Sequence, residues 1–242
     1  MAAAPGAGGV TTPGRVLPAA ALALLGLSVA AFWPDYLGRI GSVDPYTHVH
    51  AALGLAWLLL LIAQPRLALA RKVALHRSLG RAGVIVGAAF LVASVLLTHH
   101  RASRMDAEAF ERFGHFLYLP ILMTAIFAGS LLLALRWRRS PALHARYMAC
   151  SALALVDPVS ARLLHFYGPQ LPADFMYQLP AFAIIAGVLL GLLRTLPPAT
   201  AGRGAFKVFA AATGVLLLLY FATPYSDAWL RLLGAFRALP LT

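Results

Sequence analysis

One cysteine, Cys150, in 242 residues leaves no partner for a disulfide within the chain and excludes a zinc site built on cysteines. Its place within an apolar run gives it the role of a small buried hydrophobe. Charge is scarce as well: 12% of residues are charged, about half of what a soluble domain carries. Only eight residues are acidic. The chain also lacks a phosphate-binding glycine loop, a strand–turn–helix nucleophile elbow and an HExxH helix. Nothing local marks a nucleotide hydrolase, a serine hydrolase or a metalloprotease.

Apolar residues fill the space that charge leaves. They make up 61% of the chain, and the mean hydropathy is +0.79. Runs of about 17 to 25 such residues cross the hydrocarbon layer as helices, because backbone groups in lipid must bond within their own segment. The expected fold is an all-α, polytopic membrane bundle of about seven spans. They fall near 16–33, 46–64, 73–98, 115–135, 145–166, 175–193 and 205–220. Residues 1–14, rich in Gly and Pro, read as a disordered N-terminus, 15–224 as one transmembrane domain, and 225–242 as an amphipathic tail. The first span reads as a retained signal anchor, since bulky FWPDY follows it in place of a cleavage site. Pro65 is expected to end the second span. The polar stretch 99–114 reads as a short amphipathic helix at the interface. Gly80, Gly83 and Gly87 form a small-residue face suited to close helix contact.

The net charge of +12 invites a nucleic-acid partner, but the positions of the cations argue against one. Lys and Arg gather in three connections: Arg66 to Arg81, Arg136 to Arg146, and Arg194 to Lys207. No acidic residue lies in them. This is the positive-inside pattern, with membrane lipids as partner. It places the N-terminus inside and the C-terminus outside.

The eight histidines sort by depth on that topology. His48, His50, His99, His100, His115 and His165 fall near the outer face, and His76 and His144 near the inner one. His50 and His76 stand 26 positions apart, His115 and His144 29, and each interval holds an apolar run and a basic turn. Facing helices that each offer an imidazole can hold a b-type haem without any cysteine motif. On this reading His50 and His115 are outer haem ligands and His76 and His144 inner ones. An electron carrier of that kind needs a redox partner or a larger membrane complex. A second reading gathers His48, His50, His115 and Asp157 around a copper, iron or zinc ion, with Asp44 as a further carboxylate. A third makes the chain a structural or assembly subunit, with interfacial histidines.

Across 46–166 this arrangement resembles the transmembrane diheme b-type cytochromes of the ascorbate-reducing kind. Those pair histidines on the second and fourth, and third and fifth, helices of a four-helix core. His76 and His144 depart from that pattern by lying beside basic turns. The segments HVHAALGLAWLLLLIAQ, HRSLGR, HARYM and DPVSAR are similar to a group of bacterial multi-pass membrane proteins of unknown function. That resemblance implies a bacterial inner (plasma) membrane and carries no catalytic residues.

Asp157 and Pro158 fall inside the fifth span. An ionisable residue there faces the bundle interior and costs about 3 kcal/mol to insert. Asp157 is expected either to take part in a site, as an acceptor for a ligand histidine or a step in a proton path, or to pair with Arg162 or a histidine and fix packing.

Overall fold

A chain in hydrocarbon satisfies its backbone in helices, and here it does so throughout. The computed structural model describes residues 11–171, 174–196 and 202–242, and no strand occurs among them. The helices are α1 (Thr11–Ala31), α2 (Pro45–Leu69), α3 (Val73–Ser103), α4 (Ala107–Phe113), α5 (Tyr118–Arg136), α6 (Pro141–Leu153), α7 (Val156–Tyr167), α8 (Gln178–Thr195), α9 (Arg203–Tyr220) and α10 (Asp227–Arg237). Five stretches are long and apolar enough to cross a membrane: α2, α3, α4 with α5, α6 with α7, and α9. Helices α1 and α8 are shorter apolar helices. The protein is an all-α bundle of the multi-pass membrane type. Ile85, Leu132 and Leu218 are exposed on its flanks, the positions lipid would cover. Of the N-terminal stretch 1–14, the first ten residues lie outside the described ones, as do 172–173 of the loop after α7.

Several boundaries differ from the expected spans, each for a physical reason. Helix α2 opens on Asp44, whose carboxylate accepts from the Thr47 amide at 3.0 Å and hydroxyl at 2.7 Å, with Pro45 at the first helical position. It runs through Pro65 to Leu69, because proline deletes only one ladder bond and α3 packs alongside. Helix α3 continues past Thr98 and takes in His99 and His100, both buried. The polar stretch 99–114 is therefore the end of α3 followed by α4, which Asp106 caps at the Ala109 amide. His115 lies in a 3-10 turn, Gly114–Leu117, ahead of α5.

Around the bundle, α1 packs on α2, α2 on α3, and α3 on α5. The pair α6 and α7 touches α1, α2, α5, α8 and α9, so it lies at the centre. The packing thus takes in more than the second to fifth spans. Where α2, α3 and α5 meet, Trp57, Phe90 and Phe127 interlock edge to face, with centroids 5.1 and 5.2 Å apart. Gly87 permits that approach: a Cβ there would stand 2.7 Å from Leu131 and 3.0 Å from Trp57. Of the three glycines on that face it makes the tightest contact.

Candidate functional site at the interrupted helix

The fifth span has an interrupted ladder. Helix α6 ends at Leu153 and α7 begins at Val156, while Ala154 and Leu155 between them keep right-handed helical dihedrals, so the span continues through the interruption. Pro158 has no N–H to give the Ala154 carbonyl four residues earlier, which accounts for the interruption. Asp157, beside it, is 4% exposed. Its Oδ1 has no hydrogen-bond partner, and no side chain caps the start of α7.

The expected Asp157–Arg162 pair is replaced by a different one. Arg162 Nε stands 3.6 Å from Asp35 Oδ2, its guanidinium lies 4.7 Å above the Phe32 ring, and NH1 donates to the Pro158 carbonyl at 3.3 Å. Asp157 stays within electrostatic reach of Arg162 without touching it. On the other side the Tyr220 hydroxyl, at the end of α9, feels the Asp157 charge, and it too is buried without a partner. Thr213 lies seven residues earlier on α9, about 10 Å along the axis. Its buried hydroxyl is also unpartnered. The centre of the bundle thus holds a carboxyl and two hydroxyls with open hydrogen-bonding capacity. Tyr220 and Thr213 gave no sequence signal beyond a polar residue every seven in an apolar run.

The histidines separate into individual roles. His50 on α2 stacks on Phe90 at 4.8 Å, and its Nδ1 lies 3.3 Å from Ser94 Oγ. The Ser94 hydroxyl donates to the Phe90 carbonyl, so it accepts from His50. His48 Nδ1 meets the Tyr36 hydroxyl at 3.2 Å. His115 lies against Phe116 and Tyr225. His99 is 1% exposed, with Nδ1 2.7 Å from Thr242 Oγ1 and its ring edge-on to Phe236 of α10. His100 stacks on Tyr46 and stands 3.8 Å from Asp44. Partial burial raises the Asp44 pKa, but the Thr47 hydrogen bonds and the charges of His100 and Arg101 outweigh it and hold the carboxyl below its usual range.

His76 and His144 share one device. His76 Nδ1 lies 3.3 Å from the Gln64 carbonyl near the end of α2, and His144 Nδ1 lies 2.9 Å from the Ala134 carbonyl in the last turn of α5. Each fastens the start of one helix to the end of the one before it. The Gln64 side chain adds a second link, its amide nitrogen facing His76 and its oxygen accepting from the Gly80 amide at 2.9 Å.

For a haem between α2 and α5, the donors suit the group better than the space does. An imidazole whose Nδ1 donates to the protein leaves Nε2 for a metal; His50 and His144 meet that condition, whereas the Gln64 amide nitrogen faces Nδ1 of His76. Below His50, however, Phe90, Trp57 and Phe127 fill the interval, so a macrocycle does not fit there. No group of three or more His, Cys, Asp or Glu able to hold a metal ion occurs among the described residues. His48, His50, His115 and Asp157 are accordingly not gathered into one ligand set. No protein-family model, no curated protein and no solved structure matches the chain.

Proposed function

We propose that this membrane protein takes up and passes protons within its bundle, with the Asp157 carboxyl as the group that changes protonation. One observation carries the reading: the helical ladder of the central span is interrupted directly before a buried carboxyl whose Oδ1 meets no hydrogen-bond donor. A bare carboxylate there is opposed both by hydrocarbon and by the missing donors, and a bound proton relieves both. Arg162, the half-exposed Asp35 and Tyr220 lead from Asp157 toward the histidine-rich end, and Thr213, two turns nearer the start of α9, leads toward the basic end. The excess of Arg and Lys at the basic end supports placing that end on the cytoplasmic side of a bacterial plasma membrane.

The test is proton flux into proteoliposomes that enclose a pH-sensitive dye, driven by an imposed potential. The wild type is expected to conduct, and Asp157→Asn, which keeps the shape, to lose most of the flux. Equal flux from the two proteins would overturn the reading. The b-type haem carrier is a second reading, favoured by the Nδ1 contacts of His50 and His144, and it requires the Phe90, Trp57 and Phe127 rings to give way. It predicts a Soret band that shifts on reduction and weakens in His50→Ala, and an absorption spectrum of the same preparation decides it.

A further inference from the structure

The basic end of the bundle buries a cation that the protein does not neutralise. Arg146, in the second turn of α6, is 1% exposed. Its NH1 donates to the Ala142 carbonyl of its own helix at 2.8 Å, and its Nε has no partner. Among the described residues the two ion pairs, Asp44 with His100 and Asp35 with Arg162, both lie toward the other end. An uncompensated buried charge costs several kcal/mol, so a counter-charge from outside the chain is the economical solution.

Gly202 closes directly over this guanidinium. It is the N-cap of α9 and has φ +89°. A Cβ there would stand 2.7 Å from Arg146 Cδ and 3.0 Å from the Ala142 carbonyl oxygen. Glycine therefore answers both the left-handed backbone and the close approach. Among the described residues no side chain caps α9, which leaves amide donors and the positive end of the helix dipole beside Arg146. Arg203 follows at once. Its NH2 donates to the Leu193 carbonyl near the end of α8 at 2.7 Å, and its Nε is buried without a partner. The same end carries a surface hollow of about 280 Å³ lined by Arg136, Arg138 and Arg139, which raises the local concentration of anions.

We propose that Arg146, Arg203 and the uncapped start of α9 form a binding site for a phosphate group, on a lipid headgroup or on a soluble phosphate. Guanidinium nitrogens and helix N-terminal amides converge on phosphate oxygens in the same way, and phosphate supplies the charge that Arg146 lacks. The site lies away from Asp157 and does not depend on the proton reading.

The experiment uses the full chain, delipidated in detergent, and follows its melting temperature in three titrations: dioctanoyl phosphatidic acid, inorganic phosphate, and dioctanoylglycerol as the phosphate-free control. A rise with the phosphatidic acid alone assigns the site to a lipid headgroup, and a rise with inorganic phosphate assigns it to the phosphate group as such. Arg203→Gln, at a part-buried position, should bind at least tenfold more weakly, and Arg146→Gln more weakly still. If Arg146→Gln does not fold, Arg203→Gln alone decides. No rise in either phosphate titration, an equal rise with dioctanoylglycerol, or unchanged affinity in Arg203→Gln would each overturn the proposal.

Discussion

The two helical hairpins, α2 with α3 and α5 with α6 and α7, start from the same sequence device and end differently. Each has an apolar helix, a basic turn, and a histidine whose Nδ1 binds a carbonyl of the helix before it. In the first hairpin the second helix then runs unbroken for 31 residues against an aromatic core. In the second its ladder is interrupted after 13 residues and resumes as α7 with a buried carboxyl in its first turn. The turn device is common to both, so it belongs to hairpin construction. What distinguishes the second hairpin is the interruption of its ladder, with the buried Asp157 carboxyl beside it. On the proposed reading the first hairpin is the scaffold and the second the working part.

The largest way to break this comparison is in the scaffold. Trp57→Ala removes a side chain that is 1% exposed and packed against Phe127 and Gly87. It should cost about 3 kcal/mol or more, read as a fall in melting temperature. The second effect should have the opposite sign. Asp157→Leu removes a buried carboxyl that has no donor, so stability should hold or rise by about 1 kcal/mol while proton flux is lost. A marked loss of stability would make Asp157 a packing residue and the second hairpin a scaffold like the first.

The repeat of apolar run, basic turn and histidine was legible in the sequence, and so were the all-α fold and the polar character of the fifth span. The partners of the histidines were not. Spacing puts His76 and His144 at helix starts, but only the antiparallel return of the chain brings the Gln64 and Ala134 carbonyls within reach. Pro65 and Pro158 look alike in sequence, yet α2 passes through Pro65 while the ladder is interrupted before Pro158. The proline alone does not decide this: α2 is held along its length by α3, whereas Pro158 directly follows a carboxyl that prefers a helix start. Arg146 reads as a lipid-facing cation in a basic turn, and its burial depends on Gly202, more than fifty residues away. Long-range contacts of that kind leave no local periodicity.

A smaller effect sharpens the shared device. His76→Ala and His144→Ala should each cost about 1 kcal/mol, the worth of one hydrogen bond to a carbonyl. Gln64→Ala should couple to His76→Ala and not to His144→Ala, because the Gln64 side chain reaches only the first turn. Melting temperatures of the single and double variants measure that coupling. Equal coupling to both histidines would mean that the extra link in the first hairpin has no energetic content.

The smallest effect depends on pH and belongs to the first hairpin alone. Asp44 caps α2, while α5 and α6 start without a side-chain cap. Asp44→Ala should cost about 1 kcal/mol at neutral pH. The folded carboxyl titrates below its ordinary value of 3.8, so its contribution is complete above that value and fades as pH falls through the lower, folded one. Melting curves of wild type and Asp44→Ala should therefore differ at pH 7 and converge below about pH 4. Acid would then weaken the head of α2 and leave the starts of α5 and α6 as they were. A difference that persists undiminished into acid would mean that the cap acts through the shape of the Asp44–Pro45 entry, with the carboxylate charge contributing nothing.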